Sequence, residues 1–186
     1  MKPFALALIL AAGLPLASQA AEYKQVQTDK SSINFAYKQM GVSMDGKFRK
    51  FTTQLSFDPA RVAEAKASID VELASIDTGS DDADQEVTGK QWFNAKAFPT
   101  AHFASSNVKA LGGNRYEAAG KLTIKGRTQD VVAPVTFTAQ GNQGVFEGSF
   151  GIKRADFAIG EGAWAAFDTV ANEIQIKFRI LANAGK

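Results

Sequence analysis

"EIQIKFRI", residues 173–180, sets Ile174, Ile176, Phe178 and Ile180 against Glu173, Gln175, Lys177 and Arg179. A period of two belongs to a strand with one buried face, because successive side chains leave a pleated backbone on opposite sides. The same alternation runs outward from this stretch through most of the chain. Ile33, Phe35 and Tyr37 show it, as do Thr53, Leu55 and Phe57, and then Ile69, Val71 and Leu73. Tyr116, Ala118, Leu122 and Ile124 share a parity; so do Val131, Ala133, Val135 and Phe137, and Phe146, Phe150 and Ile152. Phe48 and Phe51 fall out of phase, which predicts a bulge near Arg49 and Lys50.

Turn residues separate these runs, in "LGGN" at 111–114, "KGRT" at 125–128 and "QGNQG" at 140–144. Such short connections make consecutive strands antiparallel neighbours. Pro134 cannot donate to a ladder and is expected at an edge or bulge. Two segments read as short helices. One is "DPARVAEAK", 58–66, with Asp58 as cap and Pro59 at the first turn; the other is "SDDADQEVTG", 80–89, with Ser80 or Asp81 as cap and Gly89 as stop. The expectation is an all-β antiparallel fold of about eight or nine strands with one or two short helices. Periodicity allows either a sandwich or a closed up-and-down barrel.

Residues 1–20, "MKPFALALILAAGLPLASQA", combine a lysine, an apolar run and small residues at Ser18 and Ala20, the pattern of a cleaved secretory signal. The run is short for a bilayer span, which takes about 20 apolar residues. A soluble periplasmic protein is therefore expected, with a single domain over 21–186. The chain carries 21 Lys and Arg against 19 Asp and Glu, a net charge of +2, and loss of Lys2 with the leader makes it +1. That balance offers nothing to nucleic acid or anionic lipid. With no cysteine, disulfides, a cysteine-linked lipid anchor and thiol chemistry are all excluded, so stability must come from a core.

Residues 77–86 hold five acids, and hard cations want clustered oxygens. A calcium loop counted from Asp82 would need Gly at the sixth position and Glu at the twelfth, where Val87 and Phe93 stand. Carboxylates at a helix N-terminus, favoured by the dipole, account for the cluster instead. His102, the lone histidine, lacks partners for a zinc site and has parity opposite to Phe103, so it is read as a surface residue. No G-x-S-x-G elbow or phosphate-binding glycine loop is present. No catalytic residue and no metal ligand is assigned, and the protein is read as a non-enzyme.

The unusual feature is aromatic: 14 Phe, 2 Trp and 3 Tyr. These rings either fill a core or line an apolar cavity of the kind that eight-stranded barrels enclose. The candidate ligand-binding residues are Phe35, Phe48, Phe51, Trp92, Phe93, Phe98, Phe103, Phe157 and Trp164. Trp92, Phe93 and Phe98 follow the acidic helix and are expected either to close with it over that cavity as a lid or to plug one end of a solid core.

Five stretches in order carry a resemblance. They are "MDGKFRKFTTQLSFDP" with Gly46, Phe48, Phe51, Phe57, Asp58 and Pro59; "ELASIDTG" with Thr78; "WFNAKAFPTAHFASS" with Trp92, Phe93, Phe98, Pro99 and Phe103; "GKLTIKGRTQDV"; and "KRADFAIGEGAW" with Arg154, Asp156 and Phe157. On these residues the chain resembles the YceI family, secreted bacterial proteins with a lipocalin-like barrel associated with isoprenoid binding. The resemblance implies an up-and-down, lipocalin-like β-barrel. It also implies an apolar small-molecule ligand, a polyprenyl chain or a quinone, and no other cofactor. Where many relatives carry Asp-x-His-Leu, this chain has Asp84, Glu86 and Val87, so no role of that histidine transfers. Arg154 and Asp156 match family positions and are read first as a structural ion pair, the alternative being polar groups at the cavity mouth that recognise a ligand head. The expected function is binding, carriage or sequestration of a long apolar ligand. Its rival is a solid-cored periplasmic interaction or stress-response protein that partners a membrane cytochrome or other envelope protein. A dimer is compatible with either.

Overall fold

A computed structural model describes residues 21–185, so the leader expected at 1–20 lies outside the described residues. The strands are β1 (Tyr23–Val26), β2 (Ser32–Gln39), β3 (Val42–Phe48), β4 (Phe51–Ser56), β5 (Lys66–Glu72), β6 (Ile76–Asp77), β7 (Thr100–Gly112), β8 (Arg115–Ile124), β9 (Arg127–Gln140), β10 (Gln143–Lys153) and β11 (Glu173–Ala184). One α-helix, α1 (Asp81–Thr88), lies between β6 and β7. All strands join one antiparallel sheet in the order β4-β5-β7-β8-β9-β10-β11-β2-β3-β6, with β1 added to β11. Only Arg49 and Lys50 separate β3 from β4, so one bent segment joins the β4 end of that path to the strand next to its β6 end. The Arg49 amide donates to Ser75 O (3.0 Å) and the Glu72 amide to Lys50 O (3.1 Å), carrying the pairing across the bend. The sheet thus curls back on itself into a lipocalin-like barrel.

Strand β11, which contains the opening stretch, is flanked by β10 and β2. Its Ile174, Ile176, Phe178 and Ile180 face the interior. On the outer face Lys177 meets Asp45 and Arg179 meets Glu147. Strands β1, β3 and β6 were not legible as alternation. β1 and β6 have too few residues to show a period, and in β3 the interior position 46 is a glycine.

The segment 58–66 does not form the expected α-helix. It holds only a 3₁₀ turn at Val62–Glu64. Ser56 pairs with Lys66 across the hairpin, so the chain must return to within about 5 Å. A nine-residue α-helix would instead carry it about 13 Å away. The Asp58 carboxylate tightens the turn by accepting from the Ala60 amide (2.8 Å) and Arg61 Nε (2.9 Å), and these bonds hold its pKa below the ordinary value. The second helix matches its expected bounds, with Ser80 at the N-cap and Gly89 at the C-cap, but the Ser80 side chain makes no capping bond. Asp84 turns back instead, accepting from the Thr78 amide (2.8 Å) and hydroxyl (2.7 Å).

Pro134 lies where the wall splits. The β9 to β10 register ends at Val135 and Gly148, and β9 continues past Pro134 paired only with β8. The 3₁₀ turn Arg154–Phe157 sits beside this split, with Gln129 Nε2 donating to Asp156 O (3.3 Å).

Glycine 46 lies directly across from Phe35 in the β2 to β3 register, and the Phe35 ring occupies the space that a Cβ would need. Gly46→Ala should therefore displace that ring and cost about 1–3 kcal/mol, as overpacking does. A urea midpoint unchanged from that of the parent protein would show that the ring moves freely.

Candidate ligand-binding site

Two apolar assemblies divide the interior. At the β1 end Tyr23, Phe57, Tyr116, Phe137 and Phe146 form a five-ring plug with centroid separations from 5.0 to 6.5 Å. Toward α1 the packing opens into a cavity of about 360 Å³, walled by Phe35, Phe48, Ile124, Ile152 and Ile174 among others and covered by Val87, Trp92, Phe93 and Trp164. A second lobe of about 150 Å³ extends toward the plug. The lobes share Ile33, Val71, Ala101, Leu122, Phe150 and Ile176, which form the neck between them. A wider groove, about 790 Å³, lies on the outer face beside Lys38, Asp130, Lys153, Asp156 and Glu173. Its charged, open wall does not suit an apolar ligand.

Polar groups gather at the α1 end of the larger lobe. Arg154, only 1% exposed, is satisfied without any carboxylate. Its Nε donates to Val170 O and Ala171 O, Nη1 to Ile159 O and Gly160 O, and Nη2 to Trp164 O, Ala166 O and Val170 O, all within 2.8–3.3 Å. Burial lowers its pKa, but a guanidinium stays protonated. The expected ion pair with Asp156 does not form. The 3₁₀ turn sends Arg154 into the core and leaves Asp156 on the outer groove. The Arg154 guanidinium lies 5.5 Å from the Trp92 ring centroid and 5.0 Å from that of Phe167. Trp164 Nε1 donates to Glu86 Oε1 (2.8 Å), tying the 3₁₀ turn Gly162–Trp164 to α1. The same loop is anchored by the Gly160 and Glu161 amides, which donate to Gln91 O. Lys125 Nζ adds bonds to Ala158 O (2.7 Å) and Glu161 Oε2 (2.8 Å), and it holds the Glu161 carboxyl below its usual pKa. Tyr37 also faces the lobe, and burial, with the charge of Asp84, raises its pKa.

The model of the YceI-like domain matches residues 24–182, nearly the whole described chain. The chain belongs to the YceI-like family. A UPF0312 protein of Vibrio cholerae is 32% identical over 162 residues, covering 85% of this chain and 83% of its own. One from Azotobacter vinelandii is 31% identical over 158 residues, covering 81% of each. Among solved structures, BcnA of Burkholderia cenocepacia is 42% identical with a TM-score of 0.84, over 86% of this chain and 100% of that one. A polyisoprenoid binding domain from Saccharophagus degradans, implicated in plant cell wall breakdown, is 15% identical with a TM-score of 0.63, over 90% and 100% of the two chains. At that identity the likeness speaks for the fold.

Within this YceI-like barrel the nine candidate residues separate. Phe35, Phe48, Trp92, Phe93 and Trp164 line the larger lobe, and Phe103 lines the smaller one. Phe51 packs into the core beside the plug, and Phe157, 1% exposed, packs behind the larger lobe at the split. Neither faces a lobe. Phe98 is 37% exposed and lies over Gly126 at the β8 to β9 turn, apart from the larger lobe, which is covered by α1, Trp92, Phe93 and Trp164. Sequence reasoning missed the neck, five aliphatic residues with Phe150, whose members share the parity of ordinary core. It also missed Arg154 as the hub of the loop. His102 is on the outer face, its Nδ1 2.7 Å from Asp70 Oδ1, with both side chains about half exposed. Of the acids of α1, Asp84 holds Thr78 and Glu86 holds Trp164, and among the described residues no three His, Asp or Glu gather as a metal-holding group. No helix among them is long and apolar enough to cross a membrane.

Proposed function

We propose that this YceI-like protein is a periplasmic binder that carries or sequesters an isoprenoid-type molecule, a polyprenyl chain or quinone, inside the barrel. The observation that carries this reading is the pair of adjoining lobes with an almost wholly apolar lining. The leader-like segment at 1–20 supports the compartment, and the polyisoprenoid binding domain of Saccharophagus degradans with the same fold supports the ligand class. Binding fits these walls better than catalysis, since the interior presents aliphatic and aromatic side chains to whatever occupies it. Allowing about 30 Å³ per heavy atom, the larger lobe takes about a dozen atoms. At about 0.8 kcal/mol for each buried methylene the gross gain is about 10 kcal/mol before ordering costs.

Organic extraction of the natively expressed protein followed by mass spectrometry tests the reading. A co-purified isoprenoid or quinone is expected. No bound lipid, together with no uptake of a labelled polyprenyl or quinone probe, would overturn it. Trp164→Phe, which removes the bond to Glu86, should speed probe release a few-fold in a stopped-flow chase while costing less than about 1 kcal/mol of stability, because the bond is exposed. Unchanged release would mean that the lid opens elsewhere.

A second reading, contact with an envelope protein, is favoured by one patch. Met40 and Val42 are 76% and 61% exposed at the β2 to β3 tip, whose Met40 amide donates to Thr169 O in the loop that carries the half-exposed Phe167. Exposed apolar side chains gathered in this way mark contact sites.

A further inference from the structure

The apolar patch at the β2 to β3 tip does not end with Met40 and Val42. The loop beside it carries "GAWAAF", residues 162–167, with no charged side chain, and all but Trp164 are exposed. Tip and loop form one surface. The Met40 amide donates to Thr169 O (2.7 Å), the Ala171 amide to Lys38 O (2.9 Å), and Gln39 is bridged to Val170. The buried Arg154 guanidinium lies 5.0 Å from the Phe167 ring centroid, so this half-exposed ring is held from within and open from without. Met40 takes a left-handed backbone (φ 50°), a conformation that suits asparagine or glycine better. By contrast the turns at 125–128 and 140–144, "KGRT" and "QGNQG", are polar.

Place, size and charge together decide what covers this surface. Gln39, Trp164 and Val170, on the same hairpin and loop, line the larger lobe, so the patch lies against the cover of the hollow. An apolar molecule exchanged through that cover avoids water only where the cover meets an apolar medium. The nine residues 40–42 and 162–167 fall well short of the roughly 20–30 a side that a stable protein interface takes. Carboxylates next to the patch are turned into the fold. Glu161 accepts from Lys125 (2.8 Å), Asp168 from the Thr169 amide (2.9 Å) and Glu86 from Trp164 Nε1 (2.8 Å). Lys38 is exposed beside the tip, and its long stem lets the ammonium stay in a wet headgroup layer. Asp81 and Asp82 are exposed on α1 at the same end, which gives anionic lipid no hold.

We infer that this surface docks the barrel on a lipid bilayer, with Met40, Val42 and Phe167 entering its apolar boundary and the covered end of the larger lobe turned to the membrane. Insertion of apolar side chains, not charge, makes the attachment. The docking stands on the patch itself; only the exchange of ligand there rests on the proposed isoprenoid binding.

The chain has no cysteine, so single labels can be placed on the mature protein. An environment-sensitive dye at Val42→Cys should shift to the blue with phosphatidylcholine vesicles. The same dye at Leu111→Cys, an exposed apolar residue at the plug end, should not. In vesicle flotation, Met40→Asn with Val42→Thr should weaken binding at least about tenfold, as loss of two buried apolar side chains requires. Thermal unfolding should hold, because asparagine suits the left-handed turn. Binding should persist in about 0.5 M salt and gain nothing from phosphatidylglycerol.

No flotation, flotation that the double variant keeps, or binding that needs phosphatidylglycerol and fades in salt overturns the docking. So does a surface taken by protein: self-association that the double variant abolishes, or crosslinking through Val42→Cys to an envelope protein, without flotation. Uptake of a labelled polyprenyl or quinone probe from detergent solution is scored separately. Flotation without uptake keeps the docking and removes the isoprenoid reading, whereas uptake without flotation removes the docking alone.

Discussion

Arg154→Leu is expected to cost about 3–5 kcal/mol of stability, a loss in the range reserved for broken buried networks. Leucine can fill part of the volume but leaves the carbonyls of Ile159, Gly160, Trp164, Ala166, Val170 and Ala171 without their donor. Each buried carbonyl left unpaired costs about 1–3 kcal/mol unless water reaches it. Water can reach these only if the loop 158–171 opens, so the loss should be partly local. Equilibrium urea unfolding should show the shift, and hydrogen exchange should rise first in 158–171. Arg154→Lys keeps the charge but not the planar fork and should recover less than half of the loss. A cost below about 1 kcal/mol for Arg154→Leu would show that the loop holds itself. Because Trp164 and Ile159 on this loop line the larger lobe, ligand affinity should fall with it.

Phe57→Ala should cost a similar amount, about 3–5 kcal/mol, for a different reason. Phe57 is 3% exposed and its ring meets Tyr116, Phe137 and Phe146 at 5.2, 5.0 and 5.1 Å. Its backbone is bridged to Tyr23, with the Tyr23 amide donating to Phe57 O (2.8 Å) and the Phe57 amide to Tyr23 O (3.1 Å). The residue therefore closes the β1 end of the barrel through both its ring and its main chain. Truncation should join the vacated space to the smaller lobe, whose wall includes Phe57. The protein should then be less stable yet accept a longer prenyl tail. A chain-length series of prenyl quinones measured beside thermal unfolding checks both. If the plug collapses into the space, stability falls without any gain in tail length.

The β architecture was open to reading because strand parity is local. Ile174 to Ile180 could be assigned inward from eight residues, and the same held for Tyr116 to Ile124 and Val131 to Phe137. Turn residues marked the β7 to β10 meander, and the out-of-phase Phe48 and Phe51 marked the bend by which one segment links the β4 end of the sheet to β3, beside its other end. Parity misled where the chain leaves the sheet. Asp58 and Pro59 start a helix in many sequences, but here the partner strand at Lys66 is too near for one to be completed. Arg154 and Asp156, two apart, would face the same way in a strand and diverge in a 3₁₀ turn.

Alternating side chains and turn chemistry therefore decide, within this one sequence, that the chain is an antiparallel all-β fold and which residues point inward, while the choice of barrel over sandwich is made by the strand order. They say nothing of depth along the barrel axis. Phe57 and Phe35 both point inward. One is locked among three rings and the other borders a hollow, because different strands meet them there. Whether an inward aromatic fills or lines is set by residues far away in sequence, and Arg154 shows the same dependence, since its acceptors exist only once the loop after it has closed. The hollow and the side chains that cover it are thus properties of how the strands are brought together.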